Sequence, residues 1–292
     1  MPELPEVETI KQDLEKKIAG RTVNRVDVHL LRMIRKHDSA EEFKQAVEGR
    51  SIKSMERRGK FLLFHLESEN TMVLHLGMTG QLLLRSSQSP LKVDKHTHLV
   101  FHFNDSNMLL FRDVRQFGQV FLARTSALEK QLGLGPEPLS PDFREKDLVS
   151  VLNRTTKVKQ LLMDQKRIAG IGNIYADEAL FEAGIHPLRP ANSLTPQETQ
   201  RLFPALQRIL REAIELRGTS IADYVDTSGR RGEMQNRHRV YRRTGGPCQR
   251  CGEKIRKIKM GGRSTHFCPQ CQRLSLLPSS CSYSQSCELR LA

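Results

Sequence analysis

Apolar residues near the start of the chain recur at the spacing of an amphipathic helix. They lie three or four positions apart, at Val7, Ile10, Leu14 and Ile18. Such spacing places the side chains on one face of a helix. Pro5 suits the first helical turn, and Gly20 suits the position after the last turn. We expect a helix that packs one apolar face against the rest of the protein.

From Thr22 to about Arg124, the apolar positions form short runs separated by turn residues. The runs cover residues 61–66, 72–76, 81–84, 98–103, 108–112 and 119–123. Strands this close together, without helices between them, indicate an antiparallel sandwich or barrel and not a parallel nucleotide-binding sheet. The pattern therefore predicts a β-rich N-terminal domain.

Helical spacing returns after a segment rich in glycine and proline. Because those residues disfavour regular structure, we place a domain linker at residues 133–144. Beyond it, the apolar pattern predicts a short helical segment at 158–162 and a longer helix at 174–183.

A further helix has a clear start signal. Thr195 and Glu198 flank Pro196 in a capping-box pattern, which predicts a helix that ends near Gly218. Pro204 falls inside this span and predicts a kink or a break, because proline lacks the backbone N–H that a helix interior needs.

Basic residues outnumber acidic residues in this chain of 292 residues. Lys and Arg total 47 against 33 Asp and Glu, which gives a net charge of +14. That excess favours a polyanionic partner, with nucleic acid ahead of an anionic membrane. A hydrophobic content of 38% excludes an intrinsically disordered chain. No apolar run is long enough to span a membrane, and no signal peptide is evident, so we expect a soluble cytoplasmic protein.

Four of the six cysteines form two C-x-x-C pairs near the C-terminus. Cys248 and Cys251 are separated from Cys268 and Cys271 by sixteen residues. This spacing lets four thiolates bind one tetrahedral Zn²⁺. Because four protein ligands leave no position for water, the sequence predicts a structural and not a catalytic zinc.

The segment between the cysteine pairs predicts a β-hairpin. Gly261 and Gly262 separate two strand-like runs, 254–260 and 264–267, with Arg263 at the tip. A zinc ribbon can staple a fold or dock a protein, but five basic residues from 254 to 263 favour contact with nucleic acid.

The last residues, 274–292, carry six serines and predict a disordered tail. Cys281 and Cys287 lie in this tail without a second pair nearby. We interpret them as free thiols and not as metal ligands.

The first residues of the chain include a candidate nucleophile. A small residue after Met1 normally permits removal of the initiator, which would leave Pro2 with a free amine. An α-amino group has a pKa of about 7.7 to 8.0, so part of it is neutral and nucleophilic near pH 7. Glu3 and Glu6 lie next to it in the sequence and could act as general acids or bases. Acidic residues are also ordinary at the start of a helix, where they complement the helix dipole.

This sequence resembles the formamidopyrimidine-DNA glycosylase family, bacterial base-excision enzymes for oxidised purines. The resemblance begins with residues 2–8, which read PELPEVE, and ends with the four-cysteine ribbon near residue 273. Between them it continues in family order through segments 57–62, 75–80, 95–98, 113–118, 134–138, 172–175 and 262–268.

The resemblance implies an α+β, multidomain fold. Its parts would be an N-terminal antiparallel β-sandwich with flanking helices at 2–132, a helix-two-turn-helix domain at 145–235 and a C-terminal zinc β-hairpin with four cysteine ligands at 236–273. The implied activity is that of a bifunctional DNA glycosylase and AP lyase. Such an enzyme removes 8-oxoguanine and formamidopyrimidines through an N-terminal proline imine and β,δ-elimination. The implied state is a monomer with one structural zinc, no small-molecule cofactor and damaged double-stranded DNA as its partner.

The resemblance also implies roles for individual residues. Pro2 would attack C1′ of the damaged nucleotide, and Glu3, supported by Glu6, would handle the proton at the sugar. Lys60 would assist elimination at the 3′ phosphate, and Arg263 would assist the second elimination on the 5′ side. Residues implied to contact DNA are His96, Arg115, Arg154, Lys159 and Asn173. The residues implied to fill the space left by a flipped base are Met78, Arg115 and Phe117.

Two other interpretations remain open at this point. One is the endonuclease VIII branch of the same superfamily, which prefers oxidised pyrimidines, although Leu4 and the 115–117 loop favour the purine branch. The other is a zinc-ribbon DNA-binding protein without catalysis, against which the presence of Pro2, Glu3 and Lys60 argues.

Overall fold

The computed structural model describes residues 1–86 and 94–274, and within these ranges eight N-terminal strands form two four-stranded antiparallel sheets. One sheet has the order β1 (Val23–Val28), β6 (Thr97–Phe103), β7 (Asn107–Asp113) and β5 (Gly80–Ser86). The other has the order β2 (Ile52–Arg58), β3 (Phe61–Leu66), β4 (Asn70–His75) and β8 (Gln119–Arg124). The predicted antiparallel sandwich is confirmed.

One hydrophobic core joins the two sheets to the flanking helices α1 (Leu4–Ile18) and α2 (Ala40–Val47). Phe64 of one sheet and Phe101 and Phe111 of the other lie in this core and are fully buried. The apolar face predicted for the first helix is buried in the same core. The layer arrangement therefore follows from burying one face of each sheet and one stripe of each helix.

The six predicted strand runs are confirmed with ends within two residues, whereas β1 and β2 were not predicted individually. Register shifts interrupt both strands, between Val23 and Arg25 in β1 and between Ile52 and Ser54 in β2. A shift of this kind breaks the alternation of buried and exposed positions, which is the signal that sequence reasoning uses.

Five further helices follow the sheets in the described part of the chain: α3 (Leu128–Leu132), α4 (Glu145–Leu152), α5 (Val158–Leu162), α6 (Asn173–Ala183) and α7 (Pro196–Glu215). Residues 133–144 contain neither helix nor strand, as expected of a linker. The domain boundaries themselves stay predictions.

The capping box of α7 is confirmed. The Thr195 hydroxyl accepts from the Glu198 N–H at 3.2 Å, and the Glu198 carboxylate accepts from the Thr195 N–H at 2.8 Å. The break considered at Pro204 is wrong, because α7 continues through that residue. Leu202 and Leu206 on either side are buried in the helical core, and this packing holds the helix together despite the missing hydrogen bond.

The predicted hairpin is also confirmed. Strands β9 (Arg256–Met260) and β10 (Arg263–Phe267) pair antiparallel, and Arg263 is the first residue after the glycine turn, opposite Met260. None of the helices in residues 1–86 and 94–274 is both long and apolar enough to cross a membrane. The predictions for the tail, including Cys281 and Cys287, fall almost entirely outside the described residues.

Candidate active site

The Glu3 carboxylate lies at the N-terminus of α6. It accepts backbone N–H groups of Gly172 at 2.8 Å, Ile174 at 2.9 Å and Tyr175 at 3.3 Å, and the residue is 2% exposed. A helix N-terminus carries unpaired N–H groups and positive partial charge, so it stabilises a buried anion. A Cβ at Gly172 would overlap the carboxyl carbon of Glu3, so only glycine permits this approach.

The Glu6 carboxylate contacts the backbone of Glu3. It accepts the Glu3 N–H at 2.7 Å, the Thr219 N–H at 2.7 Å and the hydroxyl of Tyr175. Burial raises the pKa of Glu6 to about 7, and the neighbouring Glu3 charge adds to that shift. Glu6 thus fixes the backbone next to Pro2, which is itself buried. Sequence reasoning did not identify Tyr175 or Thr219 as partners, because they lie far from Glu6 along the chain.

Lys60 occupies the turn between β2 and β3 and is 7% exposed. Burial lowers the pKa of its ammonium group, and the Glu3 carboxylate opposes that shift. The charges of Glu6 and Arg263 also act on Lys60. The predicted acid Glu3 and the hairpin residue Arg263 therefore both affect the pKa of Lys60.

His75 is a neighbour of Lys60 that sequence reasoning did not single out. The antiparallel register places it opposite Phe61, and the two rings lie 4.8 Å apart between centroids. Burial, followed by the Lys60 charge, lowers the pKa of His75 to about 4. The imidazole is therefore neutral near pH 7, and its Nδ1 accepts the Gly77 N–H at 3.1 Å, which leaves Nε2 as the N–H donor.

The three proposed wedge residues lie on two adjacent turns. Met78 and Phe117 are 40% and 55% exposed, and the Arg115 guanidinium lies 4.8 Å from the centre of the Phe117 ring. The backbones of the two turns lie so close together that a Cβ at Gly77 would stand 2.5 Å from the Phe117 carbonyl carbon. Met78 and Phe117 are thus exposed apolar side chains on two turns whose backbones approach each other.

The buried carboxylate of Asp113 holds these two turns together. It accepts the Gly118 N–H at 2.7 Å, the Arg115 N–H at 3.2 Å and the Thr79 hydroxyl. Sequence reasoning placed Asp113 in a motif but gave it no role. The carboxylate explains why the motif needs an acid at this position, since three donors from two loops converge on it.

Asn173 and Arg263 line a groove of about 440 Å³ between α6 and the zinc hairpin. The Asn173 amide donates to the Ser264 carbonyl at 3.0 Å, which ties the two elements together. Arg242 and Lys257 also line this groove, although sequence reasoning gave neither a role. Three cationic side chains on one concave surface suit an anion such as a phosphate.

The four predicted zinc ligands come together at one point. Their sulfur atoms all lie within 4.8 Å of one another, with 3.8 Å between Cys248 and Cys271 and 3.5 Å between Cys251 and Cys268. A tetrahedral site with Zn–S bonds of about 2.3 Å has sulfur–sulfur edges of about 3.8 Å. The donor set therefore fits one structural Zn²⁺.

Three family models match the chain in sequence order. They are the formamidopyrimidine-DNA glycosylase N-terminal domain at residues 1–120, the H2TH domain of the same enzyme at 134–225 and a zinc finger found in FPG and IleRS at 245–274. The chain belongs to the formamidopyrimidine-DNA glycosylase family. It is 47% identical over 278 residues to the formamidopyrimidine-DNA glycosylase of Heliobacterium modesticaldum, covering 94% of this chain and 100% of the relative. The enzyme of Carboxydothermus hydrogenoformans is also 47% identical, over 274 residues, with coverage of 94% and 100%.

Solved structures of this glycosylase family are similar over almost the same length. Lactococcus lactis Fpg in complex with DNA containing an abasic site is 39% identical, with a TM-score of 0.86 and coverage of 93% of this chain and 99% of that one. The wild-type enzyme of the same organism with DNA containing N7-benzyl-Fapy-dG gives a TM-score of 0.85 at 39% identity, with coverage of 93% and 100%.

One predicted DNA contact of this glycosylase is wrong. Lys159 is fully buried, its ammonium lies 2.7 Å from Asp177, and it donates to the Thr265 hydroxyl at 2.8 Å. A phosphate cannot reach a lysine that is enclosed in this way. Arg154 is exposed in the turn between α4 and α5, and His96 is half-buried just before β6. Their contacts with DNA remain predictions.

Proposed function

We propose that this chain is a bifunctional DNA glycosylase and AP lyase that removes oxidised purines from damaged double-stranded DNA. The observation that carries the proposal is the Glu3 carboxylate, held by three backbone N–H groups beside Pro2. A carboxylate fixed next to an N-terminal secondary amine is suited to proton transfer during attack by that amine.

The reaction begins at Pro2 after removal of Met1. The neutral amine attacks C1′, the bond from C1′ to the damaged base breaks, and the opened sugar forms an iminium with the proline nitrogen. Glu3 handles the proton at the sugar. The iminium makes the C2′ proton acidic, and loss of that proton breaks the C3′–O bond, so that the 3′ phosphate leaves with assistance from Lys60. Loss of the C4′ proton then breaks the C5′–O bond, so that the 5′ phosphate leaves with assistance from Arg263.

The remaining surface residues serve recognition in this proposal. Asn173 and Arg263 bind phosphate in the groove beside the zinc hairpin, and the groove residues Arg242 and Lys257 add further phosphate contacts. Further DNA contacts come from His96 and Arg154.

Base flipping is assigned to the two exposed turns. Met78 and Phe117 fill the space that the flipped nucleotide leaves, and Arg115 hydrogen-bonds the base left without a partner. We place the enzyme in a bacterial cytoplasm, where it acts as a monomer on chromosomal DNA.

Borohydride trapping on lesion duplexes tests this function. The processed enzyme should form a covalent adduct with a duplex containing 8-oxoguanine, because borohydride reduces the imine. Pro2→Gly should lose most base excision, and a form that keeps Met1 should not trap, because its proline nitrogen is an amide. Equal trapping by the form that keeps Met1 would exclude Pro2 as the nucleophile.

A second comparison separates the proposed proton transfer from the proposed lesion class. Glu3→Gln should abolish base release while leaving DNA affinity nearly unchanged, since an amide cannot transfer the proton. A duplex with an oxidised pyrimidine serves as the alternative substrate. Faster excision of the pyrimidine would favour an endonuclease VIII-like preference, and no adduct with any substrate would favour a non-catalytic DNA-binding protein.

A further inference from the structure

A buried ion pair joins α5 to α6. The Lys159 ammonium lies 2.7 Å from the Asp177 carboxylate, and their side chains are 1% and 0% exposed. Removing one partner of such a pair leaves an uncompensated buried charge, whereas replacing both by neutral groups is often tolerated. A buried pair of this kind need not add net stability, so its role is better sought in the contacts that it makes.

The pair holds three consecutive residues of strand β10. The Lys159 ammonium donates to the Thr265 hydroxyl at 2.8 Å and to the Ser264 carbonyl at 3.3 Å. The Asp177 carboxylate accepts the backbone N–H of His266 at 2.9 Å, and its Oδ2 lies 3.1 Å from the His266 Nδ1. These residues follow Arg263 directly along the strand, so the contacts constrain the backbone that carries the arginine.

Helix α6 links this anchor to the catalytic acid. Its N-terminus binds the Glu3 carboxylate, and Asp177 lies about one turn further along the same helix. Arg263 begins β10, directly before the residues that the ion pair contacts, and its positive charge helps to lower the pKa of both Lys60 and Lys159. A rigid helix therefore relates the position of the hairpin arginine to that of Glu3.

We propose that the Lys159–Asp177 ion pair is a positioning device that sets the place of Arg263 relative to Glu3 and Lys60. The proposal rests on the proposed function, in which Arg263 assists the second elimination on the 5′ side. Base release and the first elimination use Pro2, Glu3 and Lys60. In these two steps β10 serves only to bind phosphate, so with enzyme in saturating excess over DNA the pair should act mainly on the second elimination.

The test compares Asp177→Asn with the double variant Lys159→Met, Asp177→Asn, which removes both charges and avoids an unpaired buried lysine. Each is incubated with a duplex containing a preformed abasic site, under single turnover, in the zinc-loaded full chain. The products of β-elimination and β,δ-elimination are separated, and borohydride trapping is measured in parallel. Glu178→Gln is the matched control. Glu178 is buried on the same helix but accepts backbone N–H groups of residues 239–241 instead of β10.

We expect both Asp177 variants to trap and to carry out β-elimination at nearly the wild-type rate. The rate of the second elimination should fall by about tenfold to a hundredfold, because a displacement of roughly 1 Å at a reacting group can cost that much. Glu178→Gln should keep the wild-type ratio of products. The double variant keeps the test valid if Asp177→Asn alone does not fold.

Two results would overturn the proposal. One is an unchanged product ratio in a double variant that holds one zinc and traps normally. The other is an equal loss of trapping and of both eliminations, which would mean that the pair supports the whole site and not Arg263 in particular. Failure of the wild-type enzyme to trap would instead contradict the proposed function.

Discussion

Glu6 gives the most direct physical prediction, because its carboxyl is 1% exposed and lies beside a second carboxylate. We consider the change Glu6→Gln, which removes the titrating group but keeps the size of the side chain. The wild-type carboxylate accepts from Glu3, Thr219 and Tyr175, so it links the first helix to α6 and to the chain after α7. Its protonation state should therefore affect the stability of that junction.

The magnitude follows from the pKa of Glu6, which burial raises from 4.5 to about 7. Each unit of pKa difference between folded and unfolded states corresponds to about 1.4 kcal/mol, so the difference is worth about 3 kcal/mol. Between these two pH values the folded state holds a proton that the unfolded state has released. Stability should therefore fall as the pH rises from 4.5 to 7 and should change no further from this source above 7.

The assay is urea unfolding of wild type and Glu6→Gln at several pH values from about 5 to about 8, with zinc present throughout. The difference in unfolding free energy between the two proteins should shift by about 2 to 3 kcal/mol against the wild type as the pH rises. Glu8→Gln is the control on the same helix, because Glu8 pairs with the Arg57 guanidinium at 2.7 Å and is only partly buried.

Parallel pH profiles for wild type and Glu6→Gln would refute this reasoning. They would mean that the three hydrogen bonds stabilise the ionised form enough to cancel the cost of burial. A shift of the same size in Glu8→Gln would instead assign the effect to the overall charge of the helix.

Three further outcomes are expected. Cys268→Ser should lose the single bound zinc and weaken DNA binding, because the turn bearing Arg263 loses its support; metal analysis that finds no zinc in active wild-type enzyme would contradict this. Phe117→Ala should slow single-turnover excision more from a paired duplex than from one whose target base is already unpaired, since extrusion costs a few kcal/mol; equal losses would make Phe117 a packing residue. Gly172→Ala should lower base excision by about a hundredfold, because its Cβ would displace the Glu3 carboxylate; wild-type excision rates would show that the carboxylate can move without effect.

Local signals explain what could be read from the sequence by itself. The first helix, six of the strands, the capping box at Thr195 and the zinc hairpin each depend on residues that are close together along the chain. Apolar periodicity, turn residues and the spacing of cysteines carry that information directly. The first residues alone make Pro2 and Glu3 candidates, whereas their roles and the choice of Lys60 come from the family resemblance, which gives the order of the motifs along the chain but not their contacts.

Tertiary structure alone decided how the separate motifs meet. Two of the three partners of Glu6, Tyr175 and Thr219, lie 169 and 213 residues away along the chain. The charge of Lys159 is buried against Asp177, although a lone lysine in a basic sequence ordinarily indicates an exposed side chain. Packing of the neighbouring residues likewise keeps α7 helical at Pro204. Register shifts in β1 and β2 interrupt the alternating pattern by which a strand is recognised in a sequence. In each case the deciding free energy comes from burial or from a contact between distant segments, and neither is encoded in the local pattern of residues.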